Sequence, residues 1–296
     1  MESRALSQRF RRSRRKRVKK AGKRLFRGVN GLLALQSRIG DEPVFDPSEF
    51  DWTRRLEAGW RPIREELDAL LELKDEIPCF HEISPDQRRI SKGRDWKTFF
   101  LYGFDHRADA NCDRCPRTLE ILSGIPGLRL AMFSILEPGY HVPPHRGVTK
   151  GVLRCHLALR VPQERDRCVI RIDDEIHAWE EGRCLVFDDT YEHEVLNQTD
   201  EVRVVLFLDV DRPMDAPGRL LSHILRRMIR WTAYVRDARR NVHVWERRFT
   251  QAVEQRTKTT SSGEGEASIP IETEAGTGIG ARAGTRPETD AAGTRR

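Results

Sequence analysis

Between Leu128 and Val210 the chain is a succession of short apolar runs, each closed by residues that turn the backbone. The runs are Leu128–Leu136, Val152–Leu159, Cys168–Ile172, Cys184–Phe187, His193–Leu196 and Val202–Val210. Glu137-Pro138-Gly139, Glu180-Glu181-Gly182 and Asn197-Gln198-Thr199-Asp200 punctuate them. Strands this short and this closely spaced cannot alternate with crossover helices, so they predict an antiparallel sandwich or barrel, and a jelly roll fits their number. Upstream, Leu56, Trp60, Ile63, Leu67, Leu70 and Leu71 recur at three- and four-residue steps and predict a helix over 52–73. The fold class expected is mainly β with flanking helices.

Charge divides the rest of the chain. Residues 1–24 hold twelve Arg or Lys against Glu2 alone, and 212–249 hold ten Arg against three acids, yet the whole chain is only +7. An acidic body therefore lies between two basic arms. The expected organisation is a basic, largely disordered arm over 1–40 with an apolar patch at Leu25–Leu35, a globular domain over 41–211, a basic amphipathic helical segment over 212–249, and a disordered tail over 250–296. Basic arms of this kind suit an anionic partner, either a phospholipid surface or nucleic acid, or they are simply solvated termini. No run approaches the roughly 20 apolar residues of a membrane span, and no apolar stretch follows the basic start as in a signal peptide. The expectation is a cytoplasmic protein, with peripheral contact to the inner face of a membrane. The six cysteines lack a disulfide-scaffold spacing, which agrees.

Several polar residues interrupt the strands. His141 and His145 flank Val142-Pro143-Pro144, and although their spacing is that of a helical zinc site, two prolines forbid the helix. The pair must sit on extended chain, where both rings need not point the same way. His193 opens a later strand among acids, Asp188, Asp189, Glu192 and Glu194. Arg203 lies inside the apolar run Val202–Val210, a costly place for a charge unless a carboxylate answers it. Arg154 and His156 alternate with Leu153, Cys155 and Leu157 and so share one face of their strand. Three readings fit these residues: a metal and dicarboxylate pocket, a zinc or other cupin-type metal site, or a sandwich whose His and Arg side chains are merely salt-bridged or on the surface. Cys112-Asp113-Arg114-Cys115 with His106 nearby is a lone CxxC, open to a zinc, a redox or a plain thiol reading.

The stretch from Trp96 to Val210 resembles the catalytic domain of the aspartyl/asparaginyl β-hydroxylase family, which includes bacterial lipid A hydroxylases. Matching segments, in order, are Ser134 to Gly139, His141 to Gly147, Leu153 to Leu157, Trp179 to Gly182, Phe187 to Asp189, Glu192 to Val195, and then Arg203. The resemblance implies a double-stranded β-helix with Fe(II) held by His145 and His193. It implies 2-oxoglutarate as cosubstrate, its distal carboxylate held by Arg203 with Ser134, with Arg154 and His156 near its chelating end and Trp96 on the pocket wall. O2 would complete the reaction, giving succinate, CO2 and a hydroxylated C–H. The position two residues after the first His, where many such oxygenases carry an acid, is Gly147. That departure is a feature of the family, and it leaves water or an acid such as Asp189 to complete the metal's surroundings, with His141 a further candidate for that outer layer.

The substrate implied is a peptidyl Asp or Asn side chain or a lipid acyl chain. The basic arms, 1–24 and 219–249, favour lipid, and nucleic acid is disfavoured. In the second arm Leu221, Ile224, Leu225, Met228, Thr232 and Val235 form one predicted helical face, with Arg226, Arg227, Arg230, Arg236 and Arg239 around the rest. Such a helix either packs on the domain with its basic side solvated or lies on anionic lipid. The alternative to an enzyme is a non-catalytic jelly roll that uses its basic arms on membrane or nucleic acid.

Overall fold

The computed structural model describes residues 27–103, 106–230 and 233–263. The basic arm 1–24, Leu25 of the apolar patch, Thr232 and the tail from 264 lie outside the described residues. A helix α1 covers 27–35. Then come β1 (Val44–Phe45), α2 (Asp51–Ala58), α3 (Trp60–Leu71), α4 (Phe80–Ile83), β2 (Trp96–Gly103), β3 (His106–Arg107), α5 (Asp109–Cys112) and α6 (Pro116–Ser123). The strands β4 (Leu128–Leu136), β5 (His141–His145), β6 (Val152–Arg160), β7 (Cys168–Ile172), β8 (Glu175–Ala178), β9 (Cys184–Phe187), β10 (His193–Asn197) and β11 (Arg203–Asp211) follow. Two helices, α7 (Ala216–Arg230) and α8 (Ala233–Gly263), complete the described chain.

Every strand pairing is antiparallel. A seven-stranded sheet runs in the order β1-β9-β6-β11-β4-β2-β3, and a four-stranded sheet in the order β5-β10-β7-β8. The two face each other as a jelly roll, the double-stranded β-helix of the sequence expectation.

Period-two alternation divides the large sheet cleanly. On β11, Val204, Leu206, Leu208 and Val210 join a core shared with Leu56, Ile63, Leu67 and Leu70 of α2 and α3. On the same strand Val205 and Phe207 turn to the other side, into a second core with Val142, Ile170, Ile172 and Val195 of the small sheet. β6 repeats the split, with Leu153, Cys155 and Leu157 under the helices and Ala158 between the sheets. The helical layer thus braces the back of the large sheet. The polar residues of its other face, Arg154, His156 and Arg203, are left pointing into the space between sheets.

The flanking helices depart from expectation at three places. The helix predicted over 52–73 is broken at Gly59 into α2 and α3. The break lets α6 approach, since a Cβ on Gly59 would stand 2.5 Å from Ile121 Cδ1. At the C-terminal end α8 runs to Gly263 rather than stopping at 249, because Val253, one turn beyond the buried Phe249, still packs on the core. Contacts divide the chain after Gln255, and of the unit that starts at Arg256 only the helical residues 256–263 are described. On α7 the predicted apolar face is split: Leu225 is buried, with Leu221 and Ile229 packed beside it against Leu33 of α1, whereas Ile224 and Met228 are exposed. None of the described helices is long and apolar enough to cross a membrane.

Candidate active site

His145 and His193 are a cross-strand pair of the small sheet, joined by the β5–β10 pairing. A local irregularity aims them. From this pair β10 advances two residues to Val195 while β5 advances three to Val142, so β5 carries one extra residue at Pro143-Pro144. Proline cannot donate to the ladder, and a bulge is where a strand tolerates it. The extra residue reverses the parity of β5, so that Val142 and His145 both face inward, as Val195 and His193 do. The two rings lie 4.1 Å apart, centroid to centroid. Each Nδ1 donates to a backbone carbonyl two residues earlier, His145 to Pro143 at 2.9 Å and His193 to Tyr191 at 3.0 Å. That hydrogen bond puts the proton on Nδ1 and leaves Nε2 as a lone pair. Burial pushes the His145 imidazole down to about 4 and, with His145 as neighbour, the His193 imidazole down to about 3. Both are neutral at pH 7, the form that binds a metal.

Around them lies a cavity of about 490 Å³ between the sheets, lined also by Trp96, Ser134, Arg154, His156, Asp189 and Arg203. Arg203 is the anomaly. It is 2% exposed, and its Nε and Nη1 have no hydrogen-bond partner. Its guanidinium stands over the Trp179 ring at 4.5 Å, and burial lowers its pKa to about 10. No carboxylate of the described residues answers those two donors. His156 beside it has both ring nitrogens buried without a partner, and burial with the Arg203 charge holds it neutral. Ser134 Oγ accepts the Trp96 Nε1–H at 3.0 Å, which leaves the hydroxyl's own proton to donate. Donors without acceptors, collected at one end of a cavity, describe a slot for an anion.

Arg154 is differently placed. Its Nη2 lies 2.9 Å from Asp189 Oδ2 and its Nε 3.0 Å from Asp209 Oδ1. With both acids engaged, Arg154 serves as counter-charge to Asp189 while lining the same cavity as the histidine pair and Arg203. Asp189 is buried in the cavity that holds the histidine pair, and burial pushes its carboxyl up to about 6. A Cβ on Gly147 would fall 2.0 Å from Asp189 Oδ1. The carboxylate of Asp189, arriving from the β9–β10 turn, thus fills the space that a side chain at 147 would need. An acid therefore does occupy this place, brought by another segment.

His141 is not part of this group. It is exposed, pairs with Glu194 at 2.8 Å, and does not line the cavity. The reversal at Pro143-Pro144 that turns His145 inward turns His141 outward, which corrects the expectation that it supports the metal. Asp209 was missed by sequence reasoning, although it lies three alternations after Arg203 on the same strand face. Cys112 and Cys115 are free and buried in the helical core, and burial raises both thiols. Outside the cavity His106, His243 and Glu246 approach within 4.8 Å, where Glu246 accepts the Ala110 amide at 2.7 Å.

The donor set fits a divalent iron and a dicarboxylate. Two neutral imidazoles lie against each other, a buried acid shares their cavity, and Arg203, His156 and Ser134 offer unmet hydrogen-bonding capacity in the same lining.

Comparisons with known proteins show what the chain is similar to. The family model for aspartyl/asparaginyl beta-hydroxylase matches residues 57–213. An ornithine lipid ester-linked acyl 2-hydroxylase from Rhizobium tropici is 42% identical over 221 residues, covering 75% of this chain and 79% of that protein. The human aspartyl/asparaginyl beta-hydroxylase is 34% identical over 202 residues, 66% of this chain but only 25% of its own length. Among solved structures, a Pseudomonas putida prolyl-4-hydroxylase aligns with a TM-score of 0.33 and 19% identity over 52% of this chain and 88% of its own.

Proposed function

Because the chain belongs to the aspartyl/asparaginyl β-hydroxylase family, we propose that it is an Fe(II)- and 2-oxoglutarate-dependent hydroxylase acting on a C–H of a lipid acyl chain. The observation that carries the cosubstrate is Arg203, a buried guanidinium with two unmet donors in the cavity that holds the histidine pair. A distal carboxylate of 2-oxoglutarate would take the fork of Arg203 and the Ser134 hydroxyl. His145 and His193 would hold the iron through Nε2, their rings fixed by the Pro143 and Tyr191 carbonyls. Asp189, held by Arg154, would accept a hydrogen bond from water at the metal. Bound iron with 2-oxoglutarate and O2 supplies the oxidation, in which one oxygen atom enters the substrate C–H and the other leaves in succinate with CO2. The side chains between the sheets, Phe100, Met132, Ile170, Phe187 and Phe207 among them, exclude water from that chemistry.

The acyl chain is supported by further apolar lining, Ile83, Ile90, Leu130 and Ile229, with the exposed Val148 where the cavity meets solvent. The acyl hydroxylase relative, 42% identical, supports the same class. A second reading, hydroxylation of a peptidyl Asp or Asn, is favoured by Arg89 and Arg146 in the lining, cations suited to an acidic peptide. Succinate release with Fe(II) and 2-oxoglutarate separates them. Detergent-dispersed phospholipid or aminolipid should stimulate it and yield a hydroxylated fatty acid on saponification. Stimulation by Asp- or Asn-containing peptides alone would transfer the assignment to the second reading.

A further inference from the structure

Seven large apolar side chains are exposed among the described residues, and their distribution is uneven. Five sit on two helices: Leu32 (55%) and Leu35 (79%) on α1, and Leu220 (62%), Ile224 (47%) and Met228 (66%) on α7. The three on α7 are four residues apart and form one stripe along the helix. Neither stripe is what attaches its helix to the fold. Leu33 of α1 is fully buried against Met214 and Leu225, with Leu221 and Ile229 alongside, and this contact packs α1 against α7. The Asp215 amide donates to Gln36 O at 3.0 Å and reinforces it.

Charge selects what could cover these stripes. Neither 27–35 nor Ala216–Arg230 contains an acidic residue. On α7 the exposed His223, Arg227 and Arg230 lie beside the apolar stripe, and Arg27 is exposed on α1. A second copy would bring like charges together, whereas apolar stripes flanked by cations match the boundary between acyl chains and anionic headgroups. Of the two helices α7 lines the cavity, and α1 holds a loop that lines it where it meets solvent. Arg226, Ile229 and Arg230 of α7 line it. Asn30 of α1 donates to Val148 O and accepts the Lys150 amide, both at 3.1 Å, so that it braces the loop carrying Val148, another of the seven. Val148 is 60% exposed and lines the cavity.

We propose that α1 and α7 form a docking surface for an anionic phospholipid bilayer, with Leu32, Leu35, Leu220, Ile224 and Met228 entering the interface beside the cavity exit. The inference rests on the acyl-chain reading, to which it adds a route by which a chain leaves the bilayer for the cavity without crossing water.

The test is flotation of the full chain with vesicles of phosphatidylcholine alone or with phosphatidylglycerol added. Binding should require the anionic lipid and weaken with salt, as attractions screened over about 8 Å do at physiological ionic strength. The triple variant L220S/I224S/M228S keeps every cation and touches no cavity residue. It should partition at least about tenfold less, since stable interfacial binding needs apolar burial besides charge, while succinate release with detergent-dispersed lipid stays at the wild-type value. Wild-type protein that fails to float, or a triple variant that floats equally well, overturns the docking surface. Floating protein that hydroxylates no lipid in any form would overturn the acyl-chain reading and leave the docking standing.

Discussion

Arg203→Lys separates a ligand-holding arginine from a structural one. The wild-type guanidinium is buried with Nε and Nη1 unpaired and a pKa lowered to about 10, so the protein already carries its desolvation cost with no internal ion pair in return. Lysine keeps the charge but offers a point ammonium where the fork gave two parallel donors. Loss of one charge-assisted hydrogen bond is worth about 1.5–3 kcal/mol, which raises the Kd for 2-oxoglutarate roughly tenfold to a hundredfold. Calorimetric titration of 2-oxoglutarate into the anaerobic Fe(II) protein reads this directly, and iron affinity should stay near wild type. Arg203→Met supplies the stability arm. It removes a charge with no partner and forfeits mainly the stacking on Trp179, about 1 kcal/mol in urea unfolding. Arg212 is the internal control, because its guanidinium is fully buried against the fully buried Asp188. Arg212→Met should cost about 3 kcal/mol, the low end for a broken buried pair, because Lys150 also reaches Asp188 at 2.8 Å. Unchanged 2-oxoglutarate affinity in Arg203→Lys, or equal destabilisation by Arg203→Met and Arg212→Met, would refute the reasoning.

Three further outcomes follow from the same geometry. His145→Ala and His193→Ala should each abolish most Fe(II) binding while the far-ultraviolet dichroism of the sheets is retained; iron retained by both would disprove the pair as ligands. Gly147→Ala should imitate Asp189→Asn, since its new Cβ displaces the Asp189 carboxylate from Arg154. Turnover should fall roughly 10–100-fold in each, as when outer groups around a metal are lost, and full activity in Gly147→Ala would show that the Asp189 position does not matter. His141→Ala should leave iron binding intact and shift stability by no more than about 0.5 kcal/mol, because the pair it makes with Glu194 is at the surface; a loss of iron affinity would return His141 to the site.

Period two made the large sheet legible. The alternation in β6 and β11 identifies Arg154, His156 and Arg203 as inward-facing from sequence alone, and the structure places all three in the cavity lining. The same rule carried three steps beyond Arg203 finds Asp209. The bulge was hidden, because two prolines exclude a helix without saying which neighbour the extra residue turns away. Spacing alone therefore does not tell His141 from His145, and only the family resemblance separates them. Asp189 filling the space at Gly147 depends on the approach of two segments 42 residues apart in number, and no local pattern encodes it. β2 lacks a clean alternation because both its faces are covered and even Lys97 and Thr98 are buried, and β8 is a mostly exposed edge strand with little apolar content. The helical face read from Leu221 to Val235 falls on two helices, α7 and α8, and on α7 its apolar residues serve two environments. One set packs on α1 and the other is left uncovered, and a single wheel cannot separate them.

Isotope transfer from O2 tests the central claim most directly. The purified chain, given Fe(II), 2-oxoglutarate, ¹⁸O-labelled O2 and detergent-dispersed bilayer lipid, should yield a fatty acid carrying one labelled hydroxyl for each succinate formed. The same mixture with Arg203→Lys should recover label only as 2-oxoglutarate is raised. Succinate formed without label in any acyl chain, or a labelled peptide in place of a labelled lipid, would contradict it.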